Sequence, residues 1–197
     1  MKASWDSVAQ NVHFTAPLNV AAFCERVALD AMILDLGCGY GRLASQLITL
    51  GFIHVSGYDA SRKMIERGNA LHPQLRLAVA DVAKLPEPDG AADAVILSAL
   101  LTSIPDPAKQ RDVVKEIKRV LRPGGTVHGV EFLRQRGVAY QESGVFESKA
   151  GIAMWHFQAH ELKQLFAGFS RWESWRQEAP SLSGATSEVL QFVVYAA

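Results

Sequence analysis

Short apolar runs alternate along the chain with segments in which apolar residues recur at helical spacing. The apolar runs predict strands at 31–36, 53–58, 75–79, 91–98 and 126–133. Helical spacing between them predicts helices at 42–50, at 61–71 and from Asp106 to the Pro123-Gly124-Gly125 turn. Alternating strands and helices predict an α/β fold, a three-layer sandwich whose mostly parallel sheet is covered by helices on both faces.

The last third of the chain follows a different pattern. Residues 134–157 show no clear period, and a short helix is predicted at 158–167. Two late strands are predicted at 169–175 and 189–196, joined by a loop that contains Pro180 and Gly184. These strands can pair antiparallel at one edge of the sheet. No linker divides the sequence, so we expect a single domain over residues 1–197.

Composition narrows the class of protein. The 197 residues are 49% hydrophobic and 20% charged, and Lys plus Arg equals Asp plus Glu at 20 each. A nucleic-acid binder usually has a basic surplus, and no apolar run reaches the roughly 18 residues of a membrane span, so we expect neither nucleic-acid nor membrane partners. Cys24, which we expect in the core, and Cys38 are too few for a disulfide framework or a Cys-rich zinc site. The amino terminus does not look like a signal peptide, which favours a cytoplasmic protein.

The most informative segment is the glycine-rich turn that follows the first predicted strand. Glycines at 37, 39 and 41 allow positive φ and let backbone N–H groups approach a ligand at the start of a helix. The plain alternative is a tight strand-to-helix turn without a ligand. A dinucleotide fingerprint would need its third glycine at Arg42, which we expect instead to be a solvated residue of the first helical turn.

The turn is preceded by Asp35, and this apolar–Asp–apolar–G-x-G-x-G pattern resembles the class I S-adenosylmethionine-dependent methyltransferases. The resemblance continues with Asp59 after the second strand, Asp81-Val82 after the third and Ser98-Ala99 after the fourth. Residues 119–125 match a turn typical of the small-molecule, methyltransferase type 11-like branch. The resemblance implies a seven-stranded sheet of order 3-2-1-4-5-7-6 with the last strand antiparallel.

The family resemblance also implies a cofactor and the residues that hold it. The cofactor would be S-adenosylmethionine, with S-adenosylhomocysteine as the product, and no metal is expected. In the family, the carboxylate after the second strand grips the two ribose hydroxyls, and the residues after the third strand lie near the adenine. The implied cofactor-binding residues are Asp35, Gly37, Cys38, Gly39, Gly41, Asp59, Ala60, Met64, Asp81, Val82, Ser98 and Ala99.

In this fold the acceptor side usually comes from an N-terminal cap segment, here 1–30, from the loop after the fourth strand and from an insertion, here 134–160. The insertion holds aromatic and polar residues suited to a small-molecule pocket, namely Tyr140, Glu142, Phe146, Trp155, His156 and His160. His156, His160 and Tyr140 are weak candidates for a catalytic base, because histidine titrates near neutrality. Packing or surface roles for them are favoured.

The resemblance implies methyl transfer to an unidentified small molecule by a protein that is a monomer or a homodimer. Two alternatives remain open. One is a methyltransferase-like module that binds the cofactor without turnover of its own. The other is an NAD-dependent oxidoreductase on a similar sheet, against which the missing third glycine speaks.

Overall fold

The strands of the central sheet are the elements that the sequence predicts, in the same order. The computed structural model describes residues 4–141, 144–182 and 184–197, and Glu142 lies outside these ranges. The first half contains α1 (Trp5–Val8), α2 (Val20–Cys24), β1 (Met32–Leu36), α3 (Arg42–Thr49), β2 (His54–Asp59), α4 (Arg62–Leu71), β3 (Arg76–Val79) and β4 (Ala92–Ser98). A 3₁₀ turn (Leu101–Ser103) leads to α5 (Pro107–Val120), β5 (Leu121–Phe132), β6 (Val145–Glu147), β7 (Ala153–Trp155), α6 (Ala159–Leu165), β8 (Arg171–Pro180) and β9 (Thr186–Tyr195).

Seven strands form one sheet in the order β3-β2-β1-β4-β5-β9-β8. The first five are parallel, and β9 runs antiparallel to both β5 and β8. Strands β6 and β7 form a separate two-stranded hairpin. Without that hairpin the order is the predicted 3-2-1-4-5-7-6, so the predicted α/β fold is confirmed.

Alternate residues of the central strands supply the two faces of the sheet. In β1, Ile33 packs with α3 and with Phe23 of α2 on one face. Its neighbour Leu34 belongs to the cluster on the other face, which includes Ile117 of α5 and Leu162 of α6. Because side chains alternate along a strand, a strand covered on both faces reads as a continuous apolar run. The carboxyl ends of the strands are thereby fixed side by side.

Capping residues start the helices where the sequence predicts. The Ser61 hydroxyl accepts the Met64 N–H at 3.2 Å, and the Asp106 carboxylate accepts the Ala108 N–H at 2.8 Å. Each cap satisfies one of the free N–H groups of a first helical turn.

Several predicted boundaries are wrong. Helix α5 ends at Val120, and Pro123-Gly124-Gly125 lies in a shift of register inside β5 rather than ending the helix. The late strands are longer than predicted, so that Pro180 ends β8, an edge strand that tolerates a missing N–H. Cys24 is exposed at the end of α2, not in the core. The short elements α1, α2, β6 and β7 carry too few residues for a periodic signal.

No helix among the described residues has both the length and the apolar character that a membrane span needs.

One buried histidine in the sheet makes stability depend on pH. His128 in β5 is 3% exposed, has Nε2 at 3.1 Å from Thr126 Oγ1 and packs edge-on against Phe23. Burial, helped by the nearby charge of Arg26, lowers the pKa of His128 to about 3. His128 therefore stays unprotonated in the folded protein at pH values, below about 6.5, at which the unfolded chain protonates it.

We predict that His128 contributes a loss of stability as the pH falls from about 6.5 toward 3, of up to about 1.4 kcal/mol per pH unit. His128→Gln should remove this part of the pH dependence. Urea unfolding of both proteins at several pH values measures it. Asp35 and Glu131 are the same in both proteins, so their opposite contributions cancel. An identical pH dependence of the two proteins would show that His128 does not carry the effect.

Candidate functional site

A cavity lies at the carboxyl ends of β1, β2 and β4, at the point where the strand order reverses. Its volume is ≈ 190 Å³. Ligands of open parallel sheets bind at this switch point. The residues that line it are Trp5, Phe14, Thr15, Ala16, Asp35, Gly37, Cys38, Arg42, Leu43, Asp59, Ala60, Met64, Val82, Ser98, Ala99, Leu100, Ser103, Ile104, Phe132, Met154 and Leu182.

The glycine-rich turn forms the floor of this cavity. Gly37, Gly39 and Gly41 have φ values of +68°, +56° and +81°, a region that side chains disfavour. The N–H groups of Gly37 and Cys38 both donate to the Tyr58 carbonyl, at 2.8 and 3.1 Å, which ties the turn to the end of β2. Gly39 and Gly41 shape the turn without lining the cavity. A Cβ on Gly39 would lie 2.4 Å from the Phe14 ring.

The Asp59 carboxylate joins the turn to the next helix. Its Oδ2 accepts the Gly39 N–H at 2.9 Å, and its Oδ1 accepts the Ser61 N–H at 2.8 Å. Burial raises the pKa of Asp59, while these two N–H groups oppose that shift. Each carboxylate oxygen can accept a second hydrogen bond. The group can therefore meet two neighbouring hydroxyls of a ligand without losing its backbone contacts.

Asp35 and Arg42 bring opposite charges to one end of the cavity. Asp35 is 1% exposed, and its Oδ2 has no hydrogen-bond partner among the described residues. Burial raises the pKa of Asp35 to about 7, although the Arg42 charge and the Ala44 N–H act in the other direction. Arg42 Nη2 donates to the Ala16 carbonyl at 2.5 Å, while its buried Nε has no partner among these residues. This end suits a ligand group with both an ammonium and a carboxylate.

The expectation that Arg42 is a solvated residue is therefore wrong. Its side chain turns from the start of α3 into the cavity, and burial lowers its pKa. The position directly after a glycine turn could have signalled this, because the first residue of the helix lies beside the ligand. The local periodicity does not distinguish a solvated Arg42 from one whose side chain lines the cavity.

The N-terminal segment lies over the mouth of the cavity. Phe14 stacks on Tyr40 with ring centroids 5.5 Å apart, and Trp5 packs on Phe14 at 5.8 Å. The segment is held from below by Arg67, whose Nη1 donates to the carbonyls of Ala9 and Val12 at 2.7 and 2.8 Å. This cover places two aromatic rings beside any ligand in the cavity.

The segment after β4 forms the opposite wall. Ala99 has φ +55°, a conformation that costs free energy for a residue with a side chain and is common at functional sites. Fully buried Glu131 accepts the N–H groups of Leu101 and Thr102 at 2.9 and 2.8 Å, one on each carboxylate oxygen. Burial raises the pKa of Glu131 to about 7. Sequence reasoning missed this carboxylate because it lies inside an apolar strand.

The three candidate bases do not line the cavity. The Tyr140 hydroxyl accepts the Gln135 N–H at 3.0 Å and lies 2.7 Å from His156 Nδ1. Burial lowers the pKa of His156 to about 4, and its ring stacks on Phe132, which does line the cavity. His160 is exposed on α6.

The predicted cofactor residues are otherwise largely brought together. Besides Gly39 and Gly41, Asp81 is the exception, since it is exposed, lies outside the lining and accepts the Ala83 N–H at 2.9 Å. Its neighbour Val82 is buried and lines the cavity. The residues on the predicted list that line the cavity are Asp35, Gly37, Cys38, Asp59, Ala60, Met64, Val82, Ser98 and Ala99.

Comparison with known proteins shows what this chain is similar to. A family model described as a methyltransferase domain matches residues 33–125. The 27-O-demethylrifamycin SV methyltransferase of Amycolatopsis mediterranei is 28% identical over 182 residues, which cover 82% of this chain and 65% of that protein. The chain spans less than two thirds of the length of the curated relatives it matches.

Solved structures show the same fold. A S-adenosylmethionine-dependent methyltransferase from Methanosarcina mazei superimposes with a TM-score of 0.80 at 22% identity, covering 89% of this chain and 96% of that one. The 1,6-didemethyltoxoflavin-N1-methyltransferase of Burkholderia thailandensis was solved with 1,6-didemethyltoxoflavin and S-adenosylhomocysteine bound. It superimposes with a TM-score of 0.66 at 20% identity, covering 89% of this chain and 74% of that one.

We predict that Asp59→Ala weakens binding of S-adenosylhomocysteine by about 1.5–3 kcal/mol, the range for hydrogen bonds to a charged group. Calorimetric titration of the purified variant measures this loss. Asp112→Ala removes an exposed carboxylate of α5 and is the matched control. A folded Asp59→Ala protein with the affinity of the parent would remove Asp59 from the site.

We also predict that Gly39→Ala abolishes measurable binding of S-adenosylhomocysteine. The new methyl group would collide with Phe14 and force the turn and its cover apart. Gly124→Ala is the control, because Gly124 has φ +75° but nothing within 4 Å of its Cβ position. Both changes strain the backbone by about 1–2 kcal/mol. Equal binding by the two variants would show that the turn does not face the ligand.

Proposed function

Because the chain belongs to the class I, S-adenosylmethionine-dependent methyltransferases, we propose that it catalyses methyl transfer from this cofactor to a small-molecule acceptor. The observation that carries the proposal is the cavity at the switch point of the sheet. It combines a glycine turn, the Asp59 carboxylate and a pair of opposite charges on one side with an apolar wall on the other.

The residues present fit the cofactor. Asp59 would accept hydrogen bonds from the two ribose hydroxyls, because each of its oxygens has a lone pair that the Gly39 and Ser61 N–H groups do not use. Asp35 and Arg42 would meet the ammonium and carboxylate of the methionine part, which satisfies the buried atoms that lack partners. Val82, with Asp81 beside it, would face the adenine. When bound, the cofactor supplies a methyl group on a positively charged sulfur, which is already a good leaving group.

The protein itself positions the two reactants and excludes water from them. Trp5 and Phe14 of the N-terminal segment line one part of the cavity, while Phe132 and Met154 line the part next to β5 and β7. Holding two reactants in line can contribute roughly 7–11 kcal/mol to lowering a barrier. Excluding water keeps the sulfonium away from competing nucleophiles. Methyl transfer in this site therefore depends on geometry more than on acid–base groups.

The acceptor side is assembled from two regions far apart in sequence. The N-terminal segment contributes Trp5, Phe14, Thr15 and Ala16, and residues 134–160 contribute Met154 through the β6–β7 hairpin. We include both regions with the sheet in one domain over residues 1–197, with 1–30 as a cap and 134–160 as the substrate-side insertion. The balanced net charge favours a small molecule over a nucleic acid as the acceptor.

We predict that the protein binds S-adenosylhomocysteine with micromolar affinity and does not bind NADH. Calorimetric titration with each ligand tests the cofactor assignment, and the glycine spacing is the reason for the difference. Release of S-adenosylhomocysteine from S-adenosylmethionine, measured with and without a panel of acceptors, then tests turnover. Binding without turnover on any acceptor would support a cofactor-binding module instead, and binding of NADH alone would contradict the proposal.

A further inference from the structure

The charged groups of the cavity all lie on one side of it. Among the described lining residues, these are Asp35 at the end of β1, Arg42 at the start of α3 and Asp59 at the end of β2. The other side, beyond β4, presents side chains without charge. We call its apolar part the acceptor wall, formed by Ile104, Phe132, Met154 and Leu182.

The hydroxyl groups of the lining are already engaged. Thr15 donates to the Pro180 carbonyl at 2.5 Å, Ser98 to the Ala16 carbonyl at 3.3 Å, and Ser103 to the Ala99 carbonyl at 2.8 Å. A hydroxyl has one proton to donate, and its oxygen is far too weak a base to take a proton near neutral pH. These groups therefore orient a ligand at most and cannot activate it.

The acceptor wall is also out of reach of the stronger bases. His156 stacks behind Phe132 and does not line the cavity, and its lowered pKa reflects burial. Asp59, which accepts the Gly39 and Ser61 N–H groups, and Asp35, which lies with Arg42, are both on the charged side of the cavity. Within the described part of the cavity, no group faces the acceptor wall that could take a proton from an incoming nucleophile.

We propose that the acceptor is a thiol with an uncharged, apolar substituent, an inference that rests on the proposed methyl transfer. Alcohols reach a reactive form only when a base removes their proton, and alkyl amines are protonated at neutral pH. A thiol with a pKa near 8.5 is a few per cent thiolate at pH 7 without help, and this thiolate is strongly nucleophilic. An apolar substituent matches the four side chains of the acceptor wall.

The reaction balances without a further reagent. The thiol releases its proton to water before it enters, and its sulfur forms a bond to the methyl carbon of the cofactor. As that bond forms, the bond between methyl carbon and sulfonium breaks, and its electron pair stays on the cofactor sulfur. The products are a methyl thioether and S-adenosylhomocysteine. Phe132 and Met154 exclude the water that would otherwise solvate the thiolate.

Three probes of one shape test the inference with S-adenosylmethionine present, namely benzyl mercaptan, benzyl alcohol and benzylamine. We expect the thiol to be methylated at least about 100-fold faster than the other two, because only it ionises without a base. Mass spectrometry identifies the methylated product. Comparable methylation of the alcohol or the amine would overturn the inference.

The pH dependence gives a second test. With benzyl mercaptan and the more acidic benzenethiol at saturating S-adenosylmethionine, the midpoint of the rate profile should move with the acidity of the thiol, since no described side chain at the acceptor wall can take its proton. A midpoint shared by both thiols would reveal a protein base and would overturn the inference.

A binding measurement tests the acceptor wall without turnover. Benzyl methyl sulfide, the expected product, is titrated calorimetrically into protein saturated with S-adenosylhomocysteine. Met154→Asp should weaken its binding by at least about tenfold, because the apolar sulfide would be buried beside the new carboxylate. Met32→Asp is the matched control at an exposed methionine, and Met154→Gln serves if the aspartate variant does not fold.

The outcomes separate the two proposals. Absence of S-adenosylhomocysteine binding overturns the proposed function. Normal binding of S-adenosylhomocysteine without binding of the sulfide or methylation of the thiol overturns the acceptor class and leaves the cofactor assignment in place.

Discussion

The two oxygens of Asp59 accept backbone N–H groups from Gly39 and Ser61, and the rest of the site depends on this pair of contacts. One contact fixes the glycine turn that follows β1, and the other fixes the start of α4. A half-buried carboxylate hydrogen-bonded in this way is rigid, so both elements keep a constant position relative to β2. The cavity floor is therefore set before any ligand contributes to it.

The N-terminal cover depends on the same helix. Asp6 of α1 accepts the Ser61 hydroxyl at 2.5 Å and the Lys63 N–H at 3.1 Å, which places a negative charge at the amino end of α4. These hydrogen bonds lower the pKa of Asp6. Arg67 holds the following residues and lies over the Tyr40 ring at 4.0 Å. One helix thus positions both the turn beneath the cavity and the aromatic cover above it.

On the far side of the cavity, Glu131 fixes the segment after β4 by accepting backbone N–H groups, as Asp59 fixes the glycine turn. Both carboxylates accept two backbone N–H groups. Glu131 is fully buried without a cation at hydrogen-bond distance among the described residues, and its raised pKa follows from that burial. It holds the 3₁₀ turn beside the strained Ala99, and this turn carries Ser103 into the lining. The charged side of the cavity is therefore held by Asp59, and the segment after β4 on the other side is held by Glu131.

The sequence by itself determined the strands and helices of the sheet, the glycine turn and the carboxylate at the end of β2, while the strand order followed from the family resemblance. Apolar runs and turn residues are local signals that depend on spacing along the chain. Only the tertiary structure decided which side chains face the cavity. Arg42 enters it, Asp81 does not, and His156 stops behind Phe132. These outcomes depend on packing between residues distant in sequence, as when the Ala16 carbonyl meets the Arg42 guanidinium, and no local pattern encodes such contacts.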